Sequence, residues 1–447
     1  MDSRSGDFAH ALLPIAIVLS LVACDAAASG FQLKENDARG MGRAYAGSAA
    51  APDDAAVVVN NPAAMSELDR PVFQADLTAI QFETEFHGGG TDAIGQPLHG
   101  NNGGDGGVTK PVPAIYFATP YGDRWHFGAG LSAPFGFVTE WNDGWVGRYQ
   151  AQKSELESIA LTLSAAWELS DSFSLGASLL AQHTSAELTS AVNFGAILAA
   201  NPNLPPGLFL PQSADGFAKV EGDDWGYGWR LGALWKPTAQ DRIGFAYHSQ
   251  IDHTLEGDAD FTVPSIVQGV FDQGGVTAFR DVGGKADFAT PWFVTGSWWH
   301  TANERLSFGV DVSYTHWSSL KELVVRYENP AQPDSREDFD WNNTWFGSIG
   351  MDYRLDSRWT LRGGLAIDQS PTHEETRTPR VPDETRKWLA LGLTYQWSDR
   401  TDISLGYVHL FVDDSEVGPA SSATGDSLQG HFENESNLFA ISGQVRF

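Results

Sequence analysis

The residues best equipped for chemistry are three charged side chains set in otherwise apolar or small stretches: Arg230 in GYGWRLGALW, and Arg362 and Asp368 in WTLRGGLAID. A guanidinium among apolar neighbours can hold a carboxylate through a charge-assisted, two-pronged pair. Arg362 and Asp368 can equally belong to an internal salt-bridge network. Other chemistries find no such pattern. The 12 histidines are scattered, and His248 and His253, the closest in sequence, have a spacing that fits no compact metal motif. Neither a metal nor any other cofactor is expected. A serine hydrolase needs a Ser-His pair with an orienting acid. The serines near His183, His248 and His316 form no such motif, so the chain does not read as an enzyme. GGGTDAIGQPLHGNNGGDGG has a faint likeness to calcium-binding repeats and reads instead as a flexible first loop.

The elements that carry these residues alternate with period two. In SIALTLSAAW one face is Ile159, Leu161, Leu163, Ala165 and Trp167, and the other is Ala160, Thr162, Ser164 and Ala166. WTLRGGLAID sets Trp359, Leu361, Gly363, Leu365 and Ile367 opposite Thr360, Arg362, Gly364, Ala366 and Asp368. Such alternation places successive side chains on opposite faces of a sheet. If the apolar face meets lipid, Arg362 and Asp368 point inward, and Arg230 does so between Trp229 and Leu231.

Short polar connections at 121–124, 170–172, 237–242, 301–305, 355–358 and 398–401 alternate with long Gly-, Pro- or acid-rich stretches at 87–110, 134–152, 189–218, 258–284, 327–341, 369–385 and 412–431. Six short turns and seven long loops join fourteen strands. Aromatics crowd the short-turn side: Tyr121, Trp125, Trp167, Trp235, Trp298, Trp299, Tyr353, Trp359, Tyr395 and Trp397. Rings with an apolar body and a polar tip favour a bilayer interface. These features predict an all-β, 14-stranded antiparallel transmembrane β-barrel over residues 71–447. Closure is obligatory, because an open edge in hydrocarbon leaves backbone groups unpaired. The chain ends on NLFAISGQVRF, an amphipathic last strand whose terminal Phe447 suits lipid contact and recognition by barrel-assembly machinery.

ALLPIAIVLSLVAC, at 11–24, is too short to span a bilayer and is followed by Ala26-Ala27-Ala28. Residues 1–28 read as a signal peptide, with a lipoprotein cleavage box ending at Cys24 as the alternative. Cys24 is the single cysteine, so a mature chain has no disulfide or thiol chemistry. The formal charge of -29 argues against a nucleic-acid partner. The expected setting is the outer membrane of a Gram-negative bacterium. The expected partners there are outer-membrane lipid and lipopolysaccharide, and the chain is expected to be a monomer.

Residues 29–70 lack alternation and are rich in small side chains, which suits a plug packed inside a lumen. GFQL at 30–33, GRAYAG at 42–47, PDDA at 52–55 and NPA at 61–63 resemble the N-terminal hatch of the FadL/TodX family of outer-membrane transporters for long-chain fatty acids and hydrocarbons. The resemblance continues through WVGRYQAQKSELESIALTLSAAW, WGYGWRLGALWKP and LRGGLAIDQSPTHEETRTPRVPDETRKWLALGLTY, and so spans nearly the whole mature chain. It implies a hatch carrying Phe31, Asn61, Pro62 and Ala63.

Two long loops are apolar: AVNFGAILAANPNLPPGLFLP at 191–211 and FTVPSIVQGVFDQGGVTAF at 261–279. Leu204, Leu208, Phe209, Leu210, Ile266, Val267, Val270 and Phe271 need an apolar partner there. The two loops can pack on each other, and the resemblance implies a groove that captures a hydrophobic ligand; a packed pair with a cleft does both. In the third strand, WHFGAGLSAPFGF, Gly130, Pro134 and Gly136 mark a weak ladder, since proline has no backbone donor. The resemblance implies a lateral exit there, and a harmless edge proline is the competing reading. The positions that align with the family's basic head-group anchors are Ser185 and Asn342, neither of them basic, which favours an uncharged hydrocarbon or aromatic substrate. A hydrophilic-solute porin, or a structural or adhesive barrel, is the alternative function.

Overall fold

In the computed structural model, residues 30–52 and 54–447 are described; the expected signal peptide lies outside them. One sheet of 20 strand segments makes up 14 barrel strands, six of them interrupted. They are β1 Val72–Thr91, β2 Thr109–Tyr121, β3 Trp125–Ser132 continued by Gly136–Glu140, β4 Lys153–Ser170, β5 Phe173–Asn193, β6 Asp215–Trp235 and β7 Asp241–His248 continued by Ile251–Thr262. Then come β8 Val282–Thr290 continued by Phe293–Thr301, β9 Leu306–Thr315 continued by Glu322–Tyr327, and β10 Ser335–Asp338 continued by Thr344–Arg354. The last four are β11 Trp359–Asp368, β12 Arg386–Ser398, β13 Thr401–Val412 continued by Ser415–Ser421, and β14 Ser427–Arg446.

Every strand is antiparallel to its neighbours, and β14 closes on β1 from Val72↔Arg446 to Thr91↔Ser427. The expected short turns all join consecutive strands. Leu161, Leu163, Leu231, Leu365, Leu391 and Phe439 are exposed on the outer face, where lipid replaces water. Trp125 stacks on Trp167 at 5.8 Å and Trp359 meets Tyr395 at 4.5 Å in the aromatic girdle. Phe447 is exposed, its amide donating to the Pro71 carbonyl at 2.9 Å.

Two expectations are corrected. Trp299 does not join the girdle: neighbours on a strand face opposite ways, so with Trp298 partly outward Trp299 is buried inside. The first loop is not a loose linker either. Leu98 is buried, and Cβ atoms at Gly103 and Gly106 would lie 2.7 and 2.8 Å from Trp141, so those glycines let the loop lie flat on the indole.

Residues 30–52 and 54–68 lie in the lumen, with α1 Ala38–Gly42, α2 Val57–Asn60 and a 3-10 turn, Pro62–Glu67. Their small residues are buried against inward-facing wall residues such as Ala114, Tyr116, Ala166, Leu234, Ala390 and Val408. Outside, α3 Phe194–Ala199 and α4 Ser265–Gly274 stand in the two apolar loops.

Candidate functional site

The barrel wall is open along one edge. β2 pairs with β1 from Val72↔Ala118 to Gln81↔Thr109, but with β3 only from Ile115↔Leu131 to Tyr121↔Trp125. The second part of β3 pairs with β4. Among the described residues, β2 over 109–114 has no partner on its β3 side. Pro111 and Pro113 lie on this stretch, two residues apart, so their missing donors point to one edge. Proline is tolerated in a sheet where no ladder bond is required, and that edge is the open one. Residues 133–135 belong to no strand and carry Pro134.

The luminal segment enters this opening. Gln32 forms an antiparallel bridge with Phe135, the Leu33 amide donates to the Pro134 carbonyl at 2.9 Å, and the Gly136 amide donates to the Phe31 carbonyl at 2.9 Å. A cavity of about 290 Å³ adjoins it. Its lining includes outward residues Pro113, Leu131 and Ile159 and inward residues Val112, Leu156 and Leu438, so it runs through the wall. Lys110 reaches across the opening to β4, its ammonium 3.1 Å from Glu157 and also paired with Glu155. Gly136 lines this cavity. Gly130 sits below it, paired with Tyr116 and Thr162, where a Cβ would press on Val59 of the luminal segment at 3.0 Å.

The other residues expected in the hatch are buried contacts between the segment and the wall. Phe31 is caged by Phe135, Phe288, Trp317 and Trp341, with ring centroids 4.7 to 6.1 Å away. Asn61 is fully buried; its amide donates to the Ala49 carbonyl at 2.7 Å and to the Ala233 carbonyl of β6 at 3.0 Å. Its side-chain oxygen accepts from the Ala63 amide at 3.1 Å, capping the turn that Pro62 begins. The backbone itself touches the wall: a Cβ on Gly364 would lie 2.3 Å from the Arg43 carbonyl, and one on Gly176 would lie 2.3 Å from the Ala63 nitrogen. Wall carboxylates grip the segment's cations. Arg39 pairs with Asp402, which also meets Arg446 at 2.8 Å; Arg43 lies 3.3 Å from Asp352.

Of the three charged residues singled out, Arg362 joins this network, its Nε 3.0 Å from Asp352. Asp368 is buried elsewhere, within electrostatic reach of Lys34. Burial pulls the Lys34 ammonium below its ordinary value, while Asp368, Asp311 and Glu35 act the other way. Arg230 is apart from both, in a second cavity of about 90 Å³ between segment and wall. The pair His248 and His253 does not converge: His248 accepts from Arg230, and His253 lies beside Gln182 and Thr184.

The apolar loops pack on each other. Phe194 and Leu198 of α3 bury against Val267 and Phe271 of α4, with Leu204, Phe209 and Val270 half-buried around them. Val267 and Phe271, expected to face a ligand, are at 0% and 4% exposure because the loop pair itself is their apolar partner. Leu208, Leu210 and Ile266 remain exposed.

Lys34, Lys110, Pro111 and Pro113 were not singled out from the sequence. The two prolines were detectable: TKPVPAIYF is a strand-like run with donors missing at alternate positions, the mark of an unpaired edge. The lysines carried no local signal.

The family described as outer membrane protein transport protein (OMPP1/FadL/TodX) matches residues 19–447. The chain is 29% identical over 410 residues to a long-chain fatty acid transport protein of Escherichia coli O6:H1, covering 88% of this chain and 90% of that protein. It is 30% identical over 447 residues to a 47 kDa outer membrane protein of Pasteurella multocida, covering 100% of each. Among solved structures, a Pseudomonas aeruginosa FadL homologue matches with a TM-score of 0.88 at 29% identity, covering 94% of this chain and 100% of that one. The Ralstonia pickettii toluene transporter TbuX shares the fold, with a TM-score of 0.66 at 22% identity over 92% of this chain and 99% of that one.

Proposed function

Because the chain belongs to the OMPP1/FadL/TodX family of outer membrane transport proteins, we propose that it takes hydrophobic molecules through the outer membrane by a lateral route. Its cargo is long-chain fatty acids or hydrocarbons and aromatics, in keeping with the names of the fatty-acid and toluene transporters it is similar to. Exposed Leu208, Leu210 and Ile266 capture the ligand outside. It then enters the lumen, passes the luminal segment, which acts as a hatch, and leaves between β2 and β3 into lipid.

The observation that carries this reading is the cavity through the wall beside 109–114, lined by apolar residues of both faces. A sideways route suits such a cargo, because each CH₂ moved from an apolar medium into water costs about 0.8 kcal/mol. Purified protein in a neutral detergent should bind fatty acids or alkylbenzenes and not sugars, and reconstituted vesicles should take them up. Equal binding of sugars would favour a hydrophilic porin. Unchanged uptake after deletion of 29–66 would remove the hatch from the mechanism.

A further inference from the structure

The ladder between β6 and β7 is interrupted at a second place. β6 pairs with the two parts of β7 from Phe217↔Thr262 to Asp223↔Glu256 and from Arg230↔His248 to Trp235↔Ile243, so residues 224–229 face 249–255 without pairing. Six residues oppose seven there, the mark of a bulge. Residues 251–255 keep their β8 partners, from Ile251↔Thr290 to Leu255↔Ala286. An unpaired stretch is costly where lipid offers no hydrogen bonds. This one faces lipid: Trp225, Tyr227 and Trp229 are exposed on the outer face, beside Leu179 and Leu231. On the luminal face the stretch presents Gly226 and Gly228, and Ile251 covers both. A Cβ on Gly226 would lie 2.5 Å from Ile251 Cγ2, and one on Gly228 2.7 Å from Ile251 Cγ1. Ile251 is buried and lines the cavity of about 90 Å³ between segment and wall, as does the outward Trp229. The gap is closed by a side chain and not by backbone.

We propose that this interval is a second lateral gate, shut at rest by Ile251 and opened when an apolar occupant of the cavity displaces that side chain. It would pass slender cargo, hydrocarbon chains and alkylbenzenes. This rests on the transport reading above and adds a route from lumen to lipid distinct from the one between β2 and β3. With Ile251 turned aside, the way past β6 is flanked by glycine backbone, which offers a chain no side-chain obstacle. At the outer mouth Trp229 lies 5.1 Å from Tyr247, and Tyr247 stacks 5.9 Å from Trp292, an aromatic surface on which a planar hydrocarbon can lie. Ser249 pins the periplasmic end: its amide donates to the Trp229 carbonyl at 3.0 Å, and its hydroxyl accepts from the Trp229 amide at 2.9 Å. Opening is thereby confined to 224–228.

The first readout is uptake of a labelled alkylbenzene by full-length protein in vesicles of phosphatidylethanolamine and phosphatidylglycerol. Pro111→Val with Pro113→Val shuts the β2–β3 opening; adding Ile251→Ala should restore uptake by about tenfold or more, and Ile251→Val by less. No restoration by a folded Ile251→Ala variant overturns the gate. The second readout leaves Ile251 in place. His253 is buried behind it, its Cε1 2.6 Å from where a Cβ on Gly226 would lie. Ala390 is an equally buried inward residue in continuous wall. In the double-proline variant, pyrene maleimide dissolved in the lipid should label His253→Cys about tenfold or more faster than Ala390→Cys. Cys24 lies in the expected signal peptide, so each introduced thiol stands alone. Equal labelling rates overturn the gate even where Ile251→Ala fails to fold. Wild type that takes up no alkylbenzene overturns the transport reading, and the labelling, which needs no cargo, then decides the gate by itself.

Discussion

The backbone amide of Leu33 donates to the carbonyl of Pro134 at 2.9 Å, so the luminal segment occupies the place at the β3 break where a neighbouring strand would pair. The break stays unzipped because β2 offers Pro111 and Pro113 there. Replacing both prolines by valine restores two donors, each bond contributing about 1 kcal/mol. Closure of the wall is then favoured by roughly thirtyfold. Uptake of a labelled fatty acid into reconstituted vesicles should fall by about that factor, with unheated gel mobility of the folded barrel unchanged. Unaltered uptake would count against exit at this edge.

Lys110 bridges the same opening to Glu155 and Glu157 on β4. Such a half-exposed bridge is worth about 1 kcal/mol or less. Lys110→Met should therefore speed ligand exchange with lipid by no more than about fivefold. It should also flatten the dependence of that exchange on salt, because the bridge is what salt screens. Stopped-flow transfer to acceptor vesicles reads both.

Gly364 lets the Arg43 carbonyl lie against the wall. A valine there cannot be accommodated without moving the backbone of the segment, while the outer face of β11 is untouched. Gly364→Val should fold as a barrel, show faster protease cleavage within residues 30–70, and raise ion conductance in planar bilayers. Wild-type conductance would mean the segment is not seated by this contact.

Glu67 ties the end of the luminal turn to the periplasmic side of β6 and β7: its carboxylate lies 2.7 Å from Lys236 Nζ and 2.6 Å from Arg242 Nε. Burial alone would raise its pKa, but the hydrogen bonds from Lys236 and Arg242 outweigh burial and hold it below the ordinary 4.5. A folded-state value below the unfolded one stabilises the fold above pH 4.5 or so, and that stabilisation is lost as pH falls through the folded value. Glu67→Gln should lower urea resistance at neutral pH by about 1–3 kcal/mol. The wild-type advantage should vanish in acid, and an equal gap at both pH values would exclude this carboxylate as the cause.

Much of the site was legible before the structure. Alternation showed that Arg230 and Arg362 point inward, since each sits between outward apolar residues. Alternation was silent on what they meet there. Arg362 finds Asp352 because β10 and β11 pair in the register Asp352↔Arg362, and Arg43 arrives at the same carboxylate from a segment hundreds of residues earlier. Val267 and Phe271 need an apolar partner, and the neighbouring loop supplies it through Phe194 and Leu198. Trp299 lies at girdle height but on the luminal side, because adjacent strand residues face opposite ways.

By itself the sequence determined a closed wall of amphipathic strands, with its short turns, its long loops and the facing of nearly every side chain. Those properties are local: period two and turn chemistry are written in neighbouring residues. Only the tertiary structure decided where the wall stays open, what seats the luminal segment, and that Arg230, unlike Arg362, meets no counter-charge among the described residues. Register and closure bring together residues far apart in the chain, and no local pattern encodes which partners they will meet.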